Sequence, residues 1–220
     1  MAKKIQIDFV SDVVCPWCVI GLKGLEEALR RLDGEVAAEL HFQPFELNPQ
    51  MPFEGQNRDQ HIAEKYGRSQ AETDAVRDRI RERAATLGFE MRTNRESRVY
   101  NSFDSHRLLH WAGVEDAKGG NRQAALKHAL FQAYFTDGEN IADRDVLVAK
   151  AEQAGLDPKQ ARAILDSDRY TADVRQEEES WLGAGISSVP AIIVNRKYLI
   201  SGGQPPEIFE NSLREIAQQE

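Results

Sequence analysis

The sequence predicts an α/β fold in which the two ends of the chain enclose an all-helical insert. Three observations lead there. Ile5-Gln6-Ile7-Asp8-Phe9-Val10 alternates apolar and polar side chains, the period of a strand, and a helical spacing succeeds it. From Gln56 to about Tyr170 helical patterns dominate, with no convincing strand. Strands then return at Ala191-Ile192-Ile193-Val194 and Lys197-Tyr198-Leu199-Ile200-Ser201. The order is βαβ, a helical insert, then αββα. The expected domains are residues 1–55 with 171–220, and the insert 56–170.

Each element has its own signal. After the first strand, Ile20, Leu22, Leu25, Ala28, Leu29 and Leu32 share a helical face, and Asp33-Gly34 turns the chain. Val36 to Phe45 is a second strand, with Ala38, Leu40 and Phe42 opposite Glu39, His41 and Gln43. Pro44, Pro49 and Pro52 interrupt it and turn residues 48–52 into an irregular loop. Ser69 and Glu72 form a capping box for a helix carrying Val76, Ile80 and Leu87, stopped by Gly88. Phe103 to Ala112 is expected to end at Gly113. Asn121 to Phe135 turns Leu126, Leu130, Ala133 and Tyr134 inward. Asp143 caps a helix to Gly155, and Asp157-Pro158 opens another through Leu165. These insert helices are expected to form a bundle of their own. Tyr170 to Leu182 is a helix ended by Gly183 and Gly185, Asn195-Arg196 joins the hairpin, and Pro205-Pro206 opens a last helix through Ile216.

The chemistry sits at Cys15-Pro16-Trp17-Cys18, which holds the only two cysteines of the chain. The pair stands where a strand passes into the first turn of a helix. Unpaired N–H groups and the positive end of the dipole favour negative charge there, and the thiolate is the reactive form of cysteine. Pro16 suits that turn because its missing N–H has no partner to lose. Cys15 is therefore expected to be the exposed nucleophile with the lower thiol pKa, and Cys18 to face inward and close onto it. A zinc site needs four ligands and finds no second pair. A static disulfide over so short a loop constrains an unfolded chain little. Two inert core cysteines do not account for the helix start. A CxxC pair in a βαβ context reads as redox-active.

Composition narrows the class. At 220 residues, 41% hydrophobic and 29% charged, the chain is an ordinary globular protein, and a net charge of −8 disfavours nucleic-acid partners. No run approaches the roughly eighteen apolar residues of a membrane span. Met1-Ala2-Lys3-Lys4 is followed by Gln6 and Asp8 rather than by an apolar signal core, so a cytoplasmic location is expected, where a lone cysteine pair works rather than braces.

Cys15-Pro16-Trp17-Cys18 after a strand, with Ser188-Val189-Pro190 before a late hairpin, resembles the DsbA family of thioredoxin-fold thiol–disulfide oxidoreductases. The stretches 9–18, 42–49 (Phe42-Gln43-Pro44-Phe45-Glu46-Leu47-Asn48-Pro49), 101–108, 185–190 and 202–204 resemble its cytoplasmic FrnE-like branch more narrowly. The resemblance implies a thioredoxin-like fold with the helical insertion, attack by Cys15 and resolution by Cys18. It further implies a cis Val189–Pro190 bond facing the cysteines, with the Val189 backbone and Ser188 receiving an extended substrate; an ordinary trans proline opening a strand is the alternative. Disulfide-containing proteins or peptides are the implied partners, with glutathione or another thiol as reductant. No cofactor is implied beyond glutathione as a co-substrate.

Some FrnE-like proteins carry a second cysteine pair, and these 220 residues have none, so chemistry needing four thiols is not expected. The kappa-class transferases and hydroxychromene-carboxylate isomerases resemble this fold too, usually with serine where Cys15 stands. A glutathione-dependent transferase or isomerase is therefore the alternative activity, and a non-catalytic chaperone-like binding module a third. Asn101 and His106 fall on the stretch that the resemblance sets over the cleft. His106 and His110 share a helical spacing but lack the rest of a metal site, so no metal is expected. Trp17 either offers substrate an exposed apolar face or packs against the insert, while Trp111 and Trp181 are expected in the core.

Overall fold

The computed structural model describes residues 2–219. Strand β1 (Lys3–Ser11) leads through the Cys15 turn into helix α1 (Pro16–Arg31), which returns the chain to β2 (Val36–Pro44). β2 lies parallel to β1 with Lys3 opposite Val36 and Ser11 opposite Pro44. Near the other end, β5 (Ala191–Val194) pairs antiparallel with β1, and β6 (Tyr198–Ser201) with β5. The sheet order is β2-β1-β5-β6. Asn195 and Arg196, at φ 52° and 54°, make the tight hairpin turn whose twist matches the strands it joins. Helix α9 (Pro206–Gln219) then packs against α1.

The insert holds α2 (Arg58–Tyr66), α3 (Gln70–Thr86), α4 (Phe103–Asp116), α5 (Arg122–Phe131), α6 (Arg144–Gln153) and α7 (Pro158–Leu165), with α8 (Thr171–Gly183) leading out of it. A π-helical turn, Gln132–Asp137, extends α5. The Ser69–Glu72 capping box and the caps at Asp143 and Asp157 form as their residue types dictate.

Three local expectations are corrected. The two-residue strands β3 (Gln56–Asn57) and β4 (Arg98–Val99) pair within the helical stretch, and α2 comes directly after β3. Two residues are too few for alternation to register; α2 is signalled instead by Asn57, whose Oδ1 accepts the N–H groups of Asp59 and Gln60. Helix α4 runs through Gly113 rather than ending there. The space a Cβ would fill at Gly113 is taken by the Gln123 amide, only 2.8 Å away. Gln123 in turn pairs with both N–H and C=O of Phe42 at 3.1 Å, closing a stretch of the exposed edge of β2. That edge position also lets Pro44 remain in the strand.

Ile5, Ile7 and Phe9 of β1, Leu22 and Leu25 of α1 and Phe209 of α9 belong to the same buried apolar cluster as Ile80, Leu108, Trp111, Leu130 and Ile164 of the insert. Sheet and helices share one continuous core. On the opposite face of the sheet Val10, Phe45, Ile186, Ala191 and Ile193 form a smaller cluster, with Trp181 half-buried against it.

Candidate active site

Cys15 stands at the N-cap of α1, extended at φ −89° and ψ 114°, with Pro16 as the first helical residue. Its N–H donates to the Asp12 carbonyl at 3.2 Å, and its carbonyl accepts from the Cys18 N–H at 3.1 Å. The Cys15 thiol donates to the carbonyl oxygen of Val189 at 3.6 Å. The Val189–Pro190 bond is cis. Pro190 is buried against α1, where Gly21 leaves room: a Cβ there would lie 2.8 Å from the proline ring. Gly203 makes a similar approach to the Trp17 carbonyl from the loop after β6, its Cβ position lying 2.9 Å from that oxygen. Two loops distant in sequence are thus held on the start of the helix that carries both thiols.

Both cysteines are free thiols, and both are buried. For Cys15, 3% exposed, this corrects the expectation of an exposed nucleophile. Cys15 lies at the floor of a cleft of about 750 Å³ rather than on an open surface, with Val14, Pro16, Trp17, Ser188 and Val189 beside it. Trp17 is 38% exposed, so its ring stands at the rim of that cleft. Cys18 is fully buried one turn in; burial, with the neighbouring Cys15, pushes its thiol well above the ordinary range, and Lys127 pulls it back.

Behind the cysteines lies a buried polar layer that sequence reasoning missed. Asp12 is wholly buried and accepts from the N–H of Val14 at 3.3 Å and of Leu47 at 2.7 Å, tying the cysteine turn to the loop after β2. Burial alone would raise its pKa, but His106, the Leu47 N–H and Ser102 together hold it below the ordinary carboxylate value. Lys127 of α5 is 1% exposed, and burial pushes its ammonium down to about 8 against the pull of Cys18, Asp12 and Cys15. Its signal was a lysine on the helical stripe of Leu130 and Tyr134, where a solvated cation has no place.

Asn101 and His106 do not line the cleft, which corrects a second expectation. Asn101 is held by its own loop, its Nδ2 donating to the Met51 carbonyl at 3.2 Å and its Oδ1 accepting from the Phe103 N–H at 2.9 Å. His106 is 2% exposed and points at Asp12, with Nε2 3.6 Å from Oδ1 and without a hydrogen-bond partner at that nitrogen. It borders a separate cavity of about 220 Å³ with His110, Lys127 and Glu177. His110 pairs with Glu177 at 3.1 Å, which raises its pKa. Among the described residues no three His, Cys, Asp or Glu side chains gather as a metal site requires.

A model of the DSBA-like thioredoxin domain matches residues 6–214, and with the sheet order and the cysteine turn in view that match decides the family. The chain belongs to the DSBA-like thioredoxin family. A probable DsbA oxidoreductase of Streptomyces coelicolor is 32% identical, with a TM-score of 0.90 over 98% of this chain and 91% of that one. The Bacillus subtilis protein YwbO is 28% identical over 95% of this chain and 96% of its own length. A 2-hydroxychromene-2-carboxylate isomerase shares the fold at 16% identity, with a TM-score of 0.70 and 97% of each chain covered. The fold is therefore not confined to disulfide chemistry, and the two cysteines have to be weighed on their own. Among the described residues no helix is long and apolar enough to cross a membrane.

Proposed function

We propose that the chain is a cytoplasmic thiol–disulfide oxidoreductase of the FrnE-like branch, working through a mixed disulfide on Cys15. The observation that carries this reading is a pair of free thiols one helical turn apart, the outer at the floor of a cleft and the inner sealed in the core. The Cys15 thiolate attacks one sulfur of a substrate disulfide; a new S–S bond forms, the substrate S–S bond breaks, and the first substrate thiolate leaves. Cys18, its proton given up, attacks the Cys15 sulfur and expels the second thiolate, which takes a proton. Two electrons pass from the dithiol to the substrate, and a dithiol or glutathione reductant restores the pair. Val189 and Ser188 flank the sulfur, and their backbone offers an extended substrate an edge to pair with.

A glutathione-dependent isomerase needs no second thiol, and the buried Cys18 has no part in that reading. Turbidity from insulin reduced by dithiothreitol separates the two. The wild type should accelerate it, Cys15→Ser should abolish the acceleration, and Cys18→Ser should trap a substrate adduct visible by mass spectrometry. An undiminished rate in Cys15→Ser would overturn the proposal.

A further inference from the structure

The cleft that opens on Cys15 is lined opposite the cysteines by α2 and α3, and its charge is at odds with the rest of the chain. The protein carries a net charge of −8, yet Arg58, Lys65, Arg68, Arg77 and Arg79 line this cleft against the single carboxylate of Glu46. Several of these charges have partners within the fold. Arg77 pairs with Asp59 and Asp74, and Lys65 donates to the Leu47 carbonyl and to Asn48. Glu46 pairs with Arg175. Arg58 is different. It is 8% exposed, and its Nη1 is buried without a hydrogen-bond partner. Its backbone N–H donates to the Ser97 carbonyl at 2.8 Å, which fixes the residue at the start of α2. Burial lowers its pKa from the ordinary guanidinium value, while Tyr134, Asp59 and Cys15 act the other way.

An orphaned N–H on a buried guanidinium is costly unless a partner arrives. The partner a guanidinium suits best is a carboxylate or phosphate, which it binds through two parallel hydrogen bonds. Arg68 and Arg79, both exposed on the same wall, add long-range attraction for the same charge. The cleft volume of about 750 Å³ matches a small molecule rather than a folded domain.

Resting on the oxidoreductase reading, we infer that Arg58 anchors an anionic, low-molecular-weight disulfide whose carboxylates enter the cleft while its sulfur meets Cys15. Arg58 thereby selects among disulfides by charge. In this exchange the small disulfide is the oxidant, the Cys15–Cys18 dithiol supplies two electrons and becomes a disulfide, and two small thiols leave with the two protons.

Three disulfides of similar size test it: 3,3′-dithiodipropionate (anionic), bis(2-hydroxyethyl) disulfide (neutral) and cystamine (cationic), each reacted with the reduced full-length protein. The readout is the ratio of second-order rate constants, anionic over neutral, because intrinsic differences in leaving thiol cancel when that ratio is compared between proteins. Arg58→Met should lower the ratio 10- to 100-fold, and Arg58→Lys should retain part of it. In the wild type, which needs no variant to fold, raising NaCl from about 20 mM to about 500 mM should shrink the ratio. Glutathione disulfide and an acidic peptide disulfide form the second arm. A preference for glutathione disulfide that Arg58→Met removes supports the proposal, and an Arg58-dependent preference confined to the peptide overturns it. An unchanged ratio in Arg58→Met together with insensitivity to salt also overturns it, while leaving the oxidoreductase reading intact. Failure of the wild type to react with any of the disulfides would defeat the oxidoreductase reading itself.

Discussion

At the scale of single residues, Lys127 shows how a costly group is kept for its effect on a neighbour. Its folded pKa of about 8 lies below the ordinary lysine value of 10.5, so the unfolded chain binds the proton more readily. That difference destabilises the fold fully below pH 8, and the penalty is relieved as pH rises from 8 towards 10.5. The gap corresponds to a cost on the order of 3 kcal/mol at neutral pH. Lys127→Met should therefore raise stability by about 1–3 kcal/mol at pH 7, with the gain fading by about pH 10. Chemical denaturation across that range measures it. The same change removes the one cation that draws the Cys18 thiol down, so the mixed disulfide on Cys15 should resolve several-fold more slowly. A variant both more stable and faster to resolve would refute this account. The cysteine pair was legible because its chemistry depends on local sequence spacing. Lys127 showed only as a cation on an apolar helical stripe, and Asp12 and Arg58 were not legible, because their partners meet them only in the folded chain.

At the scale of elements, α1 works because its face towards the late loops is small. Gly21 and Gly24 leave space for Pro190 and for the Gln204 carbonyl, whose atoms lie 2.8 Å from the positions a Cβ would take. Gly21→Ala should force the proline loop off the helix, costing about 1–3 kcal/mol by overpacking and moving the Val189 carbonyl away from the Cys15 thiol. Slower exchange with disulfides, alongside a lowered melting temperature, is the expected result; wild-type values of both would show that the loop is not seated by this contact. The four strands of the main sheet, the helix caps and the hairpin were readable from the sequence because each is written in a local period or a capping residue. The β3–β4 pair and the continuation of α4 through Gly113 were not. They answer to partners distant in sequence, Val99 opposite Gln56 and Gln123 filling the space beside Gly113. The cleft went unseen for the same reason, since α2 and α3 form one wall and the cysteine turn another.

At the scale of the whole molecule, the insert does not stand apart from the sheet. The buried cluster runs without a break from Phe9 and Leu25 through Ile80 and Leu108 to Leu130 and Ile164. Ties between distant segments reinforce it. Gln123 closes the β2 edge, Asp12 holds the Leu47 N–H, and Arg107 of α4 donates to the Arg169 carbonyl at 3.0 Å beyond α7. An insert whose buried side chains are continuous with those beneath the sheet loses part of its core when the sheet unfolds. Sheet and insert should therefore unfold together. Differential scanning calorimetry of the reduced protein is expected to give one peak, with the calorimetric enthalpy equal to the van 't Hoff enthalpy. Trp17 fluorescence, isolated by replacing Trp111 and Trp181 with phenylalanine in that same protein, should follow the same transition as far-ultraviolet circular dichroism. Two resolved peaks, or a helical signal lost before the environment of Trp17 changes, would mean that the insert melts alone. The cleft wall carrying Arg58 would then be a mobile lid over Cys15 rather than a fixed part of the site.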